Sequence, residues 1–183
     1  YLESSQSKSM QLEKMITAQG NEIAYAIEGE GPWLTLSHSL ASNMQAWDPQ
    51  LSLLTTYFKV LRFDTRGHGM SSAPPDPYRL EELAQDVNDL FEFLNIQKTH
   101  WIGLSMGGMI GQTLILKHPN LFHSLVLADT TSKRPDNAKQ MWGERIAKAK
   151  AEGMTAMVES TLKRWFADEF RRAHPEIIQK MAK

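Results

Sequence analysis

THWIGLSMGGMIGQTLILKH, residues 99–118, decides the fold. Thr99–Leu104 is short and rich in residues that favour strands, and Met106–His118 reads as a helix that stops before Pro119. Between them stands Gly103-Leu104-Ser105-Met106-Gly107, followed by Gly108, which is the G-x-S-x-G pattern of a nucleophile elbow. A serine at so tight a strand-to-helix turn is forced into strained backbone angles. The residues two before and two after it then nearly touch, so a Cβ at either place would clash and glycine removes the clash. The turn lifts the Ser105 hydroxyl above the sheet, with the free N–H groups of the helix N-terminus beneath it. At roughly 7% glycine and similar serine usage, the five-residue pattern arises by chance in roughly one chain of this length in twenty. A strand directly before it and a helix directly after it make chance a poor account.

The chain on either side continues this alternation. Residues 11–18 and 22–28 read as a hairpin around Gln19-Gly20-Asn21, and Trp33–His38 as a short buried strand. A short helix is expected near Pro49–Tyr57, and a strand at Lys59–Asp64. Residues 65–78 hold two Gly and three Pro and read as loop. From Arg79 to Asn95, Leu80, Leu83, Ala84, Val87, Leu90, Phe91 and Leu94 recur at three and four residues, one stripe of an amphipathic helix. Ser124–Ala128 is the next strand. Such alternation predicts an α/β fold with crossover connections and a largely parallel sheet.

After Asp129 the strands stop. Residues 137–150 put Ala138, Met141, Trp142, Arg145, Ile146 and Ala149 on one helical face, which is expected to look toward a core. Residues 154–166 and about 174–183 supply two more helical pieces. The expected organisation is a polar tail that is a tag remnant or disordered at 1–10, part of an α/β core at 11–132, and the start of a helical cap at 133–183. Residues 1–9 have no apolar stretch, so they are not a secretory signal.

Composition excludes several classes. The 183 residues are 42% hydrophobic and 22% charged, which suits a globular protein and not a disordered chain. A net charge of −1 gives no basic field for nucleic acid or an anionic membrane. No apolar run approaches the roughly 20 residues of a membrane span. With no cysteine there is neither a disulfide framework nor a Cys-ligated zinc site, and the composition fits a cytoplasmic protein. The charge is unevenly spread: residues 133–183 carry 12 Lys and Arg against 7 Asp and Glu, and residues 1–132 carry 8 against 14. Solvated basic helix faces explain this, or a basic lid that favours an anionic substrate.

A serine that attacks a carbonyl needs two N–H donors for the developing oxyanion. The first is the amide after the nucleophile, Met106. The second comes from the loop after a neighbouring strand, His38-Ser39-Leu40-Ala41, with Leu40 as the candidate. His38 is either a general base reaching Ser105 or a structural residue that holds the oxyanion loop, and the structural role is favoured. Asp64-Thr65-Arg66-Gly67-His68-Gly69 reads as a tight loop whose charged groups satisfy backbone and one another.

These stretches together resemble the α/β-hydrolase superfamily and, within it, the 3-oxoadipate enol-lactonases. The resemblance is carried by HSLASNMQAWDPQL (38–51), VLRFDTRGHGMSSAP (60–74), GLSMGGMIGQ (103–112), LVLADTTS (125–132), MWGERI (141–146) and LKRWF (162–166). It implies a serine hydrolase of a small ester or lactone, with Ser105 as nucleophile, Leu40 and Met106 as oxyanion hole, and no metal or cofactor. Trp142 and Arg145, three apart on one helical face, become candidates for binding an anionic lactone; the alternative is plain packing for Trp142 and an Arg145 that reaches solvent. The superfamily orders its triad as Ser, then acid, then His. The resemblance therefore implies that the acid and the histidine lie outside these 183 residues, which by themselves are expected to be inactive. Asp129, just after a strand, is a minor candidate for the acid. The last strand, SLVLA, would be an open edge, an association hazard met by self-association or by a companion segment that completes the sheet. Beside the lactonase stand a broad carboxylesterase or thioesterase and, from another class, a non-catalytic ligand-binding protein.

Overall fold

The computed structural model describes residues 10–75 and 77–182. The tail assigned to residues 1–10 lies outside them except for Met10, which packs with Leu12 against Ala24, Ala26 and Met44. Two compact units meet at Ser132/Lys133. No helix among the described residues is long and apolar enough to cross a membrane.

The first unit is a six-stranded sheet with strands β1 (Glu13–Ile16), β2 (Glu22–Glu28), β3 (Trp33–Ser37), β4 (Lys59–Phe63), β5 (Thr99–Leu104) and β6 (Phe122–Ala128). Their order is β1-β2-β4-β3-β5-β6. The hairpin β1–β2 and the pair β2–β4 are antiparallel, and β4–β3, β3–β5 and β5–β6 are parallel. The mostly parallel sheet expected from the alternation is thus present. Three helices accompany it: α1 (Asp48–Leu54), α2 (Leu80–Phe93) and α3 (Met106–Lys117).

Alternation along the strands builds the two faces. Tyr25, Leu61, Phe63 and Trp101 point to the side covered by Leu83, Val87, Leu90 and Phe91 of α2 and Ile110 and Leu114 of α3. Leu34, Leu36 and Val60 point the other way, against Trp47, Leu51 and Leu54 of the α1 segment and Phe58. Trp101 is fully buried and its indole N–H donates to the Gly107 carbonyl at 3.2 Å, so the base of the elbow rests on the largest core side chain. On the other face the buried Arg62 guanidinium bonds Asp48 at 2.7 Å and Glu28 at 2.6 Å. Strands β1 and β6 lie at the two edges of the sheet, and on β6 Val126 is 49% and Leu127 43% exposed.

From β3 the chain crosses to one side and from β5 to the other, so the direction of winding reverses between them. Ligands of open α/β sheets bind outside the carboxyl ends of the strands at such a reversal. The loop after β3 and the turn after β5, which carry the candidate residues, both start there.

The second unit is helical: α4 (Ala138–Glu152), α5 (Val158–Trp165), α6 (Asp168–Ala173) and α7 (Pro175–Met181). Helix α6 ends at His174, directly before Pro175, where proline disfavours a helical predecessor. The expectation that the face of Ala138, Met141, Trp142, Arg145, Ile146 and Ala149 looks toward a core is met only in part: Ala138 is buried, and Arg145 and Ala149 are half-buried. Met141 is 44%, Trp142 39% and Ile146 50% exposed. Of the described residues in this unit, only Ala138 and Leu162 are fully buried. So few short helices have too little volume to bury every apolar face.

Candidate active site

Ser105 is the cap residue between β5 and α3, with φ 52° and ψ −109°, a conformation that costs energy for any residue with a side chain. The surroundings impose it. A Cβ on Gly103 would lie 2.3 Å from the Gly107 carbonyl oxygen. A Cβ on Gly107 would lie 2.1 Å from the Ser37 carbonyl oxygen at the end of β3. The first clash is the one the spacing predicts. The second shows that Gly107 is also small because the elbow abuts the end of β3, which leads into Ser39-Leu40-Ala41. Met106, the first residue of α3, has an amide with no carbonyl partner inside the helix. The Ser105 hydroxyl makes no hydrogen bond with any described residue.

Register brings the second half of the site alongside. β3 and β5 pair in parallel with Ser37 opposite Gly103, so the segment Ser39-Leu40-Ala41 leaves the sheet beside the elbow. Two histidines hold it. His38 is fully buried; its Nδ1 lies 2.8 Å from the Ser39 carbonyl, and its Nε2 accepts the Thr65 N–H at 3.0 Å. A ring that accepts at one nitrogen and faces a carbonyl with the other is neutral with its proton on Nδ1. Burial agrees, pushing its pKa down to about 4. Both nitrogens are committed, which leaves no lone pair to take a proton from Ser105. His68 does the same from the next loop: its Nε2 accepts the Ala41 N–H at 3.1 Å and its Nδ1 lies 3.1 Å from the Arg66 carbonyl. Ala41 needs that support, because its φ is 58°.

The Asp64–Gly69 loop is structural, as its composition implies. The Asp64 carboxylate accepts the amides of Met44 and Met70, both at 2.8 Å. Arg66 grips buried Asp86 with two bonds at 2.7 and 2.8 Å. Of the remaining histidines, His100 bonds the Ser124 hydroxyl and His174 faces Glu176. Asp129 is exposed directly after β6 and left-handed, with φ 42°.

Trp142 and Arg145 stand on α4 of the other unit. The Arg145 guanidinium lies over the Trp142 ring, 4.6 Å from its centroid, a cation–π pair. Partial burial, with Arg164 nearby, lowers the Arg145 pKa. Among the described residues no carboxylate pairs with it.

Sequence reasoning missed two residues around the site. His68 was absorbed into its loop, although a histidine between two glycines was a visible signal. Thr130 donates to the Ser105 carbonyl at 2.7 Å; the third glycine of the run, Gly108, was the hint that something packs there.

The sequence profile described as "alpha/beta hydrolase fold" matches residues 32–180. The chain is 35% identical to 3-oxoadipate enol-lactonase 2 of Acinetobacter baylyi over 169 residues, 91% of this chain and 62% of that protein. It superposes on the crystal structure of the enol-lactonase from Burkholderia xenovorans LB400 with a TM-score of 0.88 at 35% identity, covering 93% of this chain and 66% of that one. It also superposes on a thermophilic esterase from Thermogutta terrifontis with a TM-score of 0.85 at 28% identity, covering 94% and 65%. The chain thus spans a little under two thirds of the length of these relatives.

Proposed function

The chain belongs to the α/β-hydrolase family, and on that footing we propose that it supplies the nucleophile and oxyanion hole of a serine hydrolase acting on a small ester or lactone. The observation that carries this reading is Ser105 at φ 52°, ψ −109° between strand and helix, beside an unspent Met106 amide. The Ser105 oxygen attacks the substrate carbonyl while its proton passes to a general base. The carbonyl electron pair moves onto oxygen, where the N–H groups of Leu40 and Met106 receive it. Collapse expels the leaving oxygen, and water then cleaves the acyl-enzyme. His38 and His68 do not serve as the base, because both nitrogens of each are engaged; the superfamily's order of Ser, then acid, then His would place the acid and the base outside the described residues. Asp129 is the alternative place for the acid. The reaction needs no metal or cofactor.

The substrate proposed is 3-oxoadipate enol-lactone. The likeness to proteins of that name supports it, with Arg145 above Trp142 as the group that meets the substrate carboxylate. Ring opening leaves the enol attached to the acyl group, and the enol tautomerises to a ketone. A broad esterase is the second reading, favoured by the Thermogutta terrifontis likeness.

A substrate panel on the full-length protein tests both. The lactone is expected to exceed p-nitrophenyl acetate and a short thioester in kcat/KM by about 100-fold or more. Equal values mean the esterase. Ser105→Ala should abolish turnover of every substrate, and a serine-directed phosphonate should label Ser105. Labelling of Ser39 or Ser71 would sink the assignment, and no turnover of any substrate would favour a ligand-binding protein.

A further inference from the structure

The chain after β6 closes back on the elbow. The Ser105 amide donates to the Ala128 carbonyl at 2.9 Å, and the Thr130 hydroxyl donates to the Ser105 carbonyl at 2.7 Å. Asp129 between them turns the strand end with φ 42°. One residue later, the Thr131 carbonyl accepts the Gln112 side chain of α3 at 3.1 Å. Thr130 also touches the helix directly: a Cβ on Gly108 would lie 2.7 Å from its Cβ, Cγ2 and Oγ1. The third glycine of the motif is therefore there to admit Thr130. The same Ser105 carbonyl takes the amides of Gly108 at 3.0 Å and Met109 at 3.2 Å, the first turn of α3.

A peptide unit is a rigid plate, with its C=O and the next N–H pointing in opposite directions. The carbonyl that Thr130 holds and the Met106 N–H are two ends of one plate. A donor fixed on the oxygen fixes where the N–H points, and polarises that N–H toward an acceptor. We propose that Thr130 is a positioning residue for the oxyanion hole: its hydroxyl sets the plane of the Ser105–Met106 peptide from behind and so aims the Met106 amide. This rests on the proposed reading of Met106 as an oxyanion donor. The Gly108 and Met109 amides hold the same carbonyl from within α3, and Thr130 adds a third donor, the shortest of the three, from 25 positions away in sequence.

The test compares Thr130→Val, which keeps the shape and removes the hydroxyl, with Thr130→Ser, which keeps the hydroxyl. Full-length protein is assayed on p-nitrophenyl acetate. Removing a direct oxyanion donor costs about 100- to 1,000-fold in kcat; losing only the group behind one donor should cost about 10-fold in Thr130→Val, with KM within about twofold. Thr130→Ser should stay within about threefold of the parent. A second readout uses a trifluoromethyl ketone. The Ser105 oxygen bonds its carbonyl carbon, the C=O pair moves onto oxygen as an alkoxide, and the serine proton passes to the base. Its affinity should fall with kcat in Thr130→Val and hold in Thr130→Ser. If Thr130→Val does not fold, Thr130→Ala replaces it, and serine must still outperform alanine. Unchanged kcat and ketone affinity in Thr130→Val overturn the inference, as does a Thr130→Ser as impaired as Thr130→Val. Ser105→Ala runs alongside: turnover that survives it overturns the functional reading and this inference together, whereas loss of turnover there with an indifferent Thr130→Val overturns this inference alone.

Discussion

Four hydrogen bonds hold the backbone of Ser105, from one strand end, one helix turn and one side chain, whereas Arg145 rests on a single indole ring. Ser105 sits where the sheet, α3 and the segment after β6 meet, and the glycines two before and two after it, Gly103 and Gly107, are each confined by backbone atoms. On the face of α4, Met141, Trp142 and Ile146 are each more than a third exposed. The difference separates two jobs. Attack on a carbonyl needs atoms fixed to fractions of an ångström, which only interlocked backbone provides. Choosing among substrates needs only a few side chains of the right charge and size, and under the proposed reading these are the side chains of α4, an element with few constraints.

From that contrast, the largest effect is expected from a methyl group added on the rigid side. Gly103→Ala places a Cβ 2.3 Å from the Gly107 oxygen and 2.6 Å from the Gly108 nitrogen, both backbone atoms that cannot step aside. The expected cost is about 3 kcal/mol or more, read from denaturant midpoints, with hydrolysis lost as the elbow opens. A variant as stable and active as the parent would mean that the elbow is not over-determined.

The next effect is one of pH and comes from the loop after β3. Desolvation holds His38 neutral, with its pKa pushed down to about 4 from 6.5. The unfolded chain binds that proton first as pH falls, so stability is fully present above about pH 6.5 and is lost between there and about pH 4. The loss attributable to this ring is about 3 kcal/mol. Carboxylates titrate in the same range, so the measurement is a difference: urea unfolding at pH 7 and pH 4.5 for the parent and for His38→Gln. The variant should be the less stable at pH 7 and lose less between the two values. Equal losses would mean that His38 is not held neutral.

These two regions were unequally legible in the sequence. The elbow could be read because its glycines answer to sterics within five residues, and the strand and helix around it carry their own periodicity. The sheet followed from alternation, because crossovers in such folds have few arrangements. Thr130 and His68 could not be assigned a role, because each acts through a bond made 25 or 27 positions away, and no local pattern encodes such a pairing. The α4 face misled in the opposite way. Its apolar spacing is that of a buried stripe, but spacing fixes only which residues share a face, and what covers the face is a tertiary matter. The separate helix at Asp168–Ala173 was missed because six residues are too few for periodicity to show.

On the open side the contrast predicts a selective and smaller effect. Arg145→Ala should raise KM for a carboxylate-bearing lactone by about 10-fold and leave a neutral ester of similar size within about twofold. Added salt should weaken the parent's preference for the anion, as expected for a partly exposed charge. Equal effects on both substrates would make Arg145 a packing residue, and substrate choice would then have to be sought elsewhere than on this face.

The smallest effect is the mirror of the first. Gly143 lies inside α4, next to Trp142, and a Cβ built on it meets nothing within 4 Å. Here glycine answers to no neighbour in the structure, so only helix propensity and chain entropy apply. Alanine is better than glycine in a helix interior by about 1 kcal/mol, partly because the unfolded chain has less freedom to lose. Gly143→Ala should therefore stabilise the protein by about 0.5–1 kcal/mol, with turnover of a neutral ester unchanged. One substitution, glycine to alanine, would then carry opposite signs at positions 103 and 143, and the sign would report whether backbone or open space faces the new methyl. A Gly143→Ala protein less stable than its parent would show that this stretch of α4 is covered in the folded protein, and the contrast between a rigid site and an unconstrained helix would fail at that position.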